Sequence, residues 1–295
     1  MSTWGLKISA NSSHWKAIAA LALAVIAMSN SGLMVRYFSQ VDAHQISAFR
    51  ALGAALCGFV YMVAGFGGRR WAGGGIGHPG IFILAAAYTI NTTLYMVALR
   101  ETTVAHAAAI SAASPVFAAA LAWSILRERI NTGIWMSLVI VVIGVAIMIG
   151  TSAIGHDGTL FGDALALAVS LLFAAQIVLL RYYRGVDVVP GLFLGGLLSL
   201  GTNLLLTGQP IAAFSDALGI VLIGIFLHGL PWLVLIFMSR CVSAIQVTTI
   251  TLLDVVFNPL LVWLVTTETP SLESAVGAFM ICLGVVVSVR SQWPR

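Results

Sequence analysis

Charged residues are scarce in this 295-residue chain, at 8% of the sequence. An average soluble domain has about 25%. Hydrophobic residues make up 60%, so the chain lacks the charged surface of a soluble fold, and the same composition excludes a disordered chain. The apolar runs are continuous rather than alternating, which excludes a transmembrane β-barrel. The composition therefore predicts an all-α polytopic membrane protein.

Motifs that bind metals, nucleotides or nucleic acids are also missing. Cys57, Cys241 and Cys282 are isolated, without the spacing of a disulfide framework or a metal site. No GK[ST] phosphate loop occurs, and the GxGxxG sequence at 75–80 follows no strand. The net charge of +4 is scattered over the ends of apolar runs rather than gathered in one stripe. We therefore expect no cofactor, no metal, no nucleic-acid partner and no enzymatic activity.

Ten apolar segments are long enough to cross a membrane, which takes roughly 20 residues each. The predicted transmembrane helices are 16–36, 44–65, 78–99, 103–126, 133–150, 160–181, 188–207, 217–238, 243–266 and 273–290. The expected organisation is an N-terminal tail (1–15), a first five-helix unit (16–152), a second five-helix unit (158–290) and a C-terminal tail (291–295).

The distribution of Lys and Arg predicts the orientation of the chain. With the N-terminus in the cytoplasm, most basic residues, including Arg69, Arg70 and Arg184, fall on the cytoplasmic side. Only Arg36 and Arg100 lie at outer helix ends. By the positive-inside rule, both termini are cytoplasmic and the protein is a multi-pass protein of the cytoplasmic (inner) membrane.

The two halves of the chain repeat each other. A shift of 140 residues aligns Arg100 with Arg240, Phe117 with Phe257 and Trp123 with Trp263. Nearer the start of each half, a shift of 145 residues aligns Arg36-Tyr37 with Arg181-Tyr182. Because each half has an odd number of helices, the copies must have opposite orientations in the membrane. Such inverted repeats are common in secondary transporters, with the binding site at the repeat interface.

Two segments carry a family resemblance. They are SPVFAAALAWSILRER (Ser114 to Arg129) and NPLLVWLVTTETPS (Asn258 to Ser271). Together with the ten short-looped spans, they resemble the drug/metabolite transporter superfamily, EamA type. The general character of the sequence is most similar to YddG-type amino-acid exporters. The resemblance implies ten helices in two inverted repeats, and export of aromatic and other apolar amino acids.

Polar and aromatic side chains share one face of the third predicted helix. Their spacing of i, i+3, i+4 and i+7 places them together: Tyr88, Asn91, Thr92 and Tyr95. The shift of 140 residues maps this face onto His228, Pro231, Trp232 and Leu235 of the eighth helix. We predict that Tyr88, Asn91, Thr92, Tyr95, His228 and Trp232 line a substrate cavity. Packing between helices is the alternative role of this face.

Four small or polar residues at corresponding repeat positions extend the predicted site. Ser111 in the fourth helix matches Thr251 in the ninth, and Ser31 in the first helix matches Gln176 in the sixth. A polar group at membrane depth is costly unless it is paired or faces a cavity. These four residues are therefore predicted to contribute to substrate binding.

Two charged residues lie within predicted spans. Asp254 is predicted to hold a proton or a substrate ammonium group, or else to make structural hydrogen bonds. Arg50 is predicted to bind a substrate carboxylate, to reach outward, or to pair with Asp42 or Asp254.

The predicted function is export of apolar, in particular aromatic, amino acids by a secondary transporter. Alternating access of the two halves would expose a cavity lined by helices 1, 3, 4, 6, 8 and 9. One alternative is an exporter of hydrophobic drugs or another small metabolite. The other alternative is a channel or receptor without a transport cycle. The expected partners are a small-molecule substrate and the lipid bilayer, and the protein is expected to be a monomer.

Overall fold

The computed structural model describes residues 10–64, 77–127, 132–153, 159–266 and 272–291, and within these ranges the chain is helical without a strand. The helices are α1 (Ala10–Met28), α2 (Ser31–Tyr37), α3 (Ala43–Val63), α4 (Pro79–Glu101), α5 (Val104–Ser111), α6 (Ser114–Leu121), π1 (Ala122–Leu126), α7 (Thr132–Ala153), α8 (Leu160–Tyr182), α9 (Val189–Leu206), α10 (Phe214–Gly224), π2 (Ile225–Gly229), α11 (Leu230–Met238), α12 (Ala244–Ile250), α13 (Leu253–Val265) and α14 (Leu272–Ser291). Arg69, Arg70, the start of the 75–80 segment and most of both tails lie outside the described residues.

Eight helical segments of the described chain are long and apolar enough to cross a membrane. They are Trp15–Tyr37, Ala43–Val63, Pro79–Glu101, Val104–Leu126, Leu160–Tyr182, Val189–Leu206, Phe214–Met238 and Ala244–Val265. Their bounds match eight of the predicted spans within a few residues. The remaining two predicted spans correspond to α7 and α14, which pack against each other.

Several spans consist of two shorter helices that meet near the middle of the span. The first passes from α1 to α2 at Ser29 and Asn30, where the Ser29 hydroxyl donates to the Val25 carbonyl at 2.9 Å. The Asn30 side-chain nitrogen donates to the Ala27 carbonyl at 2.6 Å. Hydrogen bonds of this kind compete with the backbone ladder and bend helices. They supply a local cause for the interruption of this span.

Prolines mark two further interruptions. Pro115 lies in the first turn of α6, and Pro231 lies in the first turn of α11, directly after π2. Pro231 has no N–H for the carbonyl of Leu227 four residues earlier. The side-chain nitrogen of Asn30 donates to that carbonyl at 3.5 Å. Pro259, by contrast, lies inside α13.

Small residues bring α3 close to α10 and π2. A Cβ atom added to Gly53 would lie 2.5 Å from the carbonyl carbon of Gly224, and one added to Gly224 would lie 2.5 Å from the Arg50 carbonyl oxygen. Small residues of this kind let membrane helices approach at backbone distance. This contact holds Arg50 beside π2, which carries His228.

An arginine clasp closes one end of the molecule. In this Arg100 clasp, Arg36 donates to the Leu99 carbonyl at 3.1 Å and the Thr102 carbonyl at 3.4 Å. Arg100 donates in return to backbone carbonyls beyond α2, among them that of Val41. The clasp ties the end of α2 and the segment before α3 to the end of α4.

A second arginine clasp lies at the other end. In this Arg240 clasp, Arg181 donates to the Arg240 carbonyl at 2.8 Å, and Arg240 donates to the Val186 carbonyl at 3.2 Å. Arg240 also lies 3.8 Å from the Asp187 carboxylate. The ring of Tyr183 packs against that of His78 at the start of α4, so this clasp lies at the opposite end of α4 from the first.

Candidate functional site

A cavity lies between helices of both halves and contains about 820 Å³ of space, including its open mouth. Its walls come from α1 to α6, α8, π2, α11, α13 and the junction between α12 and α13. All the predicted site residues except Gln176 line it: Ser31, Arg50, Tyr88, Asn91, Thr92, Tyr95, Ser111, His228, Trp232, Thr251 and Asp254. Through Arg50, the second predicted helix also contributes to the wall.

Arg50 is buried in the cavity wall, with 3% of its surface exposed. Its guanidinium donates to the Thr92 hydroxyl at 2.6 Å and to the Ser31 hydroxyl at 3.2 Å. Among the described residues, no carboxylate forms an ion pair with it. The alternative pairings with Asp42 and Asp254 are therefore not formed. Asp42 instead caps α3, where its carboxylate accepts from the His44 N–H.

His228 connects Arg50 to Tyr88. The His228 Nδ1 atom lies 3.4 Å from Arg50, and its Nε2 atom lies 3.0 Å from the Tyr88 hydroxyl. Because a guanidinium can only donate, Nδ1 acts as the acceptor. The neutral imidazole then carries its proton on Nε2 and donates it to the Tyr88 oxygen. The π-helical turn that presents His228 is a feature often found at functional sites.

Asp254 belongs to a second polar cluster on the wall. The Tyr95 hydroxyl donates to its carboxylate at 3.1 Å, and the Asn258 side-chain nitrogen donates to the Tyr95 oxygen at 3.0 Å. Asn258 is fixed in turn, because its side-chain oxygen accepts from the Gly32 N–H at 2.8 Å. Asn258 thus connects α13 to α2, and the contacts with Tyr95 connect α13 to α4. The partners described for the Asp254 carboxylate are neutral.

Aromatic side chains form the wall next to these polar groups. The rings of Tyr88 and Trp232 meet edge to face at 5.4 Å, and Phe173 approaches Trp232 at 6.2 Å. Phe173 was not predicted to be a site residue. The repeat contains a signal for it, since the shift of 145 residues maps Phe173 onto Met28, and both line the cavity.

Buried polar atoms without a hydrogen-bond partner collect in this region. Among the described residues, they include Arg50 Nε, Asn91 Oδ1, Ser111 Oγ and Trp232 Nε1, all from cavity-lining side chains. An unsatisfied buried polar atom costs on the order of 1–3 kcal/mol. Their concentration here indicates a surface that is completed by a polar ligand or water. Thr251 differs, since its hydroxyl donates to the Thr248 carbonyl of its own helix at 2.7 Å.

Gln176 lies in a smaller adjoining cavity. This second space of about 260 Å³ shares Tyr88 and Trp232 with the main cavity, and its other walls are apolar except for Gln176. The side-chain oxygen of Gln176 is buried and has no hydrogen-bond partner. The Tyr88–Trp232 pair therefore separates Gln176 from the rest of the predicted site.

Other ionisable groups lie away from the cavity. His106 Nδ1 is 3.9 Å from Asp163 Oδ1, which also accepts from the Thr102 hydroxyl at 3.2 Å. Within the described ranges, no cluster of three or more His, Cys, Asp or Glu side chains is arranged to hold a metal ion. The chemistry of the main cavity therefore rests on hydrogen bonding, on the charges of Arg50 and Asp254, and on aromatic contact.

The sequence profile of the EamA-like transporter family matches residues 15–150 and 160–290. The chain belongs to this family. It is similar to an uncharacterized transporter of Clostridium kluyveri, with 22% identity over 218 residues, or 70% of each chain. A solved crystal structure covers 94% of this chain, and the match covers 96% of that structure, with a TM-score of 0.72 and 18% identity. That structural likeness concerns the fold alone.

Family membership makes the protein a membrane transporter of a small molecule. The profile thus matches the chain twice, once in each half of the sequence. The main cavity takes lining residues from both matched segments, including Arg50 and Tyr88 from the first and Trp232 and Asp254 from the second. A substrate held there would contact both segments at once.

Proposed function

We propose that this transporter exports apolar and aromatic amino acids across the cytoplasmic membrane. The observation that carries the proposal is the pair of opposite charges in one cavity that do not neutralise each other. Arg50 and Asp254 both line it, yet neither forms an ion pair within the described chain. An amino-acid zwitterion supplies the complementary charges, with its carboxylate at Arg50 and its ammonium at Asp254. Charge-assisted hydrogen bonds of this kind are stronger than neutral ones.

The aromatic wall supports an apolar side chain on the substrate. Tyr88, Phe173 and Trp232 offer ring faces and edges beside the polar groups. Aromatic rings prefer offset or edge-to-face contact with other rings, and such contact adds about 0.5–1.5 kcal/mol to the effect of burial. A phenyl or indole side chain fits this wall better than a charged one.

A hydrophobic cationic drug is the competing substrate class. Its cation would meet Asp254, but the buried charge of Arg50 would then lie in the same cavity without an anion. Like charges in a low-dielectric site repel strongly. The chemistry of the cavity therefore favours a zwitterion over a cation.

A dianionic substrate is also disfavoured. It would need a second anion-binding group, and Arg50 is the cation that lines the described cavity.

We propose ten membrane helices arranged as two inverted repeats. The two arginine clasps support this arrangement, because the repeat pairs Arg36 with Arg181 and Arg100 with Arg240. Arg100 donates to the Val41 carbonyl, and Arg240 donates to the Val186 carbonyl, which is the equivalent position after the two shifts. The clasps lie at opposite ends of α4, as copies with opposite orientations require.

Transport by alternating access follows from an inverted repeat around a central site. Both clasps are closed in the same structure. They therefore act as struts within each half rather than as gates that open in turn. The opening and closing elements must lie nearer the cavity, where the interrupted spans α1–α2, α5–α6 and α12–α13 meet. We further propose a monomer with both termini in the cytoplasm.

Counterflow in liposomes tests the proposed substrate. Purified protein is reconstituted with unlabelled phenylalanine inside, and uptake of labelled phenylalanine is measured without an imposed gradient. Saturable exchange that tryptophan inhibits is expected, and it would distinguish a carrier from a channel. Phenethylamine and 3-phenylpropanoate each lack one charge and should inhibit more weakly than phenylalanine. Well-folded protein that exchanges no amino acid would refute the proposal.

A further inference from the structure

The small cavity behind the Tyr88–Trp232 pair has one polar group among apolar walls. Gln176 is 2% exposed, and its side-chain oxygen has no hydrogen-bond partner in the described chain. The surrounding walls come from residues such as Leu180, Leu192 and Ile236. A lone acceptor in an apolar pocket suits a ligand group that is mainly hydrocarbon and carries a single donor.

We propose that Gln176 selects substrates whose aromatic ring bears a hydrogen-bond donor. This inference rests on the proposed amino-acid export and refines its specificity. The indole N–H of tryptophan and the phenol O–H of tyrosine are donors of this kind, whereas the phenylalanine ring has none. The ring would leave the main cavity by displacing the Tyr88–Trp232 contact and would donate to the Gln176 oxygen.

The position of the small cavity supports this path. Tyr88 and Trp232 line both cavities, so movement of their rings joins the two spaces. The carboxylate and ammonium of the substrate would stay at Arg50 and Asp254, in the main cavity. The ring would then lie among the aromatic side chains, with its outer edge directed towards Gln176. The two charged groups of the substrate and the hydrogen-bond donor on its ring are thus bound by different residues of the protein.

Tryptophan and 1-methyltryptophan provide the test, since the second lacks the indole N–H. Inhibition of labelled phenylalanine exchange by each compound is measured with three reconstituted proteins: the wild type, Gln176→Met and Leu180→Met. A neutral hydrogen bond contributes on the order of tenfold in affinity. We expect the wild type to favour tryptophan over 1-methyltryptophan by about tenfold. Gln176→Met should abolish that preference, whereas Leu180→Met changes only the apolar wall and should keep it.

The outcomes separate the inference from the function on which it rests. Equal inhibition by the two ligands in the wild type would assign the Gln176 oxygen to internal water and overturn the inference. A preference that persists in Gln176→Met would show steric exclusion of the methyl group, which also overturns it. Either result leaves amino-acid exchange in place. If the folded wild type exchanges no phenylalanine, the proposed function and the specificity inference both fail.

Discussion

Replacement of Arg50 by glutamine should separate recognition of the substrate carboxylate from the rest of binding. Arg50 is the cation that lines the main cavity, and its Nε atom has no partner. A hydrogen bond to a charged group contributes about 1.5–3 kcal/mol. Since 1.4 kcal/mol corresponds to a tenfold change in binding, Arg50→Gln should lower the affinity for phenylalanine by about 10- to 150-fold.

The ligand phenethylamine isolates this effect, because it has the ring and the ammonium group of phenylalanine but no carboxylate. Both compounds are used to inhibit labelled phenylalanine exchange in liposomes. Arg50→Gln should make phenylalanine a weaker inhibitor. Inhibition by phenethylamine should stay unchanged or become stronger, since the guanidinium that repels its ammonium group is gone. The glutamine amide can still donate to Thr92 or Ser31, so the fold should persist. A thermal melt in detergent checks this point.

A matched control distinguishes a local effect from general destabilisation. Arg100→Gln removes an arginine of the clasp, which lies at the end of α4 and outside the cavity lining. This variant should keep the wild-type ratio of phenylalanine to phenethylamine inhibition, whatever its stability. If Arg50→Gln weakens both ligands equally, Arg50 supports the cavity rather than the carboxylate, and the assignment of the zwitterion is wrong.

Four further perturbations have defined outcomes. In the same inhibition assay, Asp254→Asn should weaken inhibition by phenylalanine. Inhibition by 3-phenylpropanoate, which has no ammonium group, should stay unchanged. Trp232→Ala should raise the half-saturation concentration for phenylalanine at least several-fold, because it removes the central ring of the aromatic wall. Gly224→Ala should lower the melting temperature, since its Cβ would lie 2.5 Å from the Arg50 carbonyl oxygen and overpacking costs about 1–3 kcal/mol. Met96 is buried in this structure, and alternating access should expose it in the other state of the transport cycle. Met96→Cys, in a chain without its native cysteines, should therefore react faster with a thiol reagent during exchange. An unchanged reaction rate would count against alternating access.

Helical periodicity was sufficient to assemble much of the candidate site. The i, i+3, i+4 and i+7 positions from Tyr88 to Tyr95 share one face and line one cavity. The repeat register predicted His228 and Trp232, which line the same cavity and contact Tyr88. Tyr88 and His228 are equivalent positions, and they form a hydrogen bond with each other.

The partners of the charged groups did not follow from periodicity. Arg50 is bound to Thr92, Ser31 and His228 rather than to Asp42 or Asp254. These partners come from three other spans, so their contacts depend on how closely the helices approach. The approach at Gly53 and Gly224 is set by tertiary packing, which a single-helix pattern does not encode.

Gln176 shows a second limit of the sequence argument. The repeat pairs it with Ser31, which lines the main cavity, whereas Gln176 lies behind Tyr88 and Trp232. The register predicts equivalent backbone positions, but the side chains at those positions differ in length and in neighbours. A repeat in one conformation also need not place equivalent residues in equivalent surroundings.

The surroundings of the two halves differ in one more way that bears on the transport cycle. The repeat maps Leu180, Leu192 and Ile236, which line the small cavity, onto Val35, Ser47 and Met96. These three counterparts are fully or almost fully buried, and none of them lines the main cavity or the small one. In the proposed inverted repeat, the two halves exchange conformations between states. The space at Gln176 would then close, and an equivalent space would open at Val35, Ser47 and Met96. The Ser47 hydroxyl, which is buried without a hydrogen-bond partner here, would become part of that path.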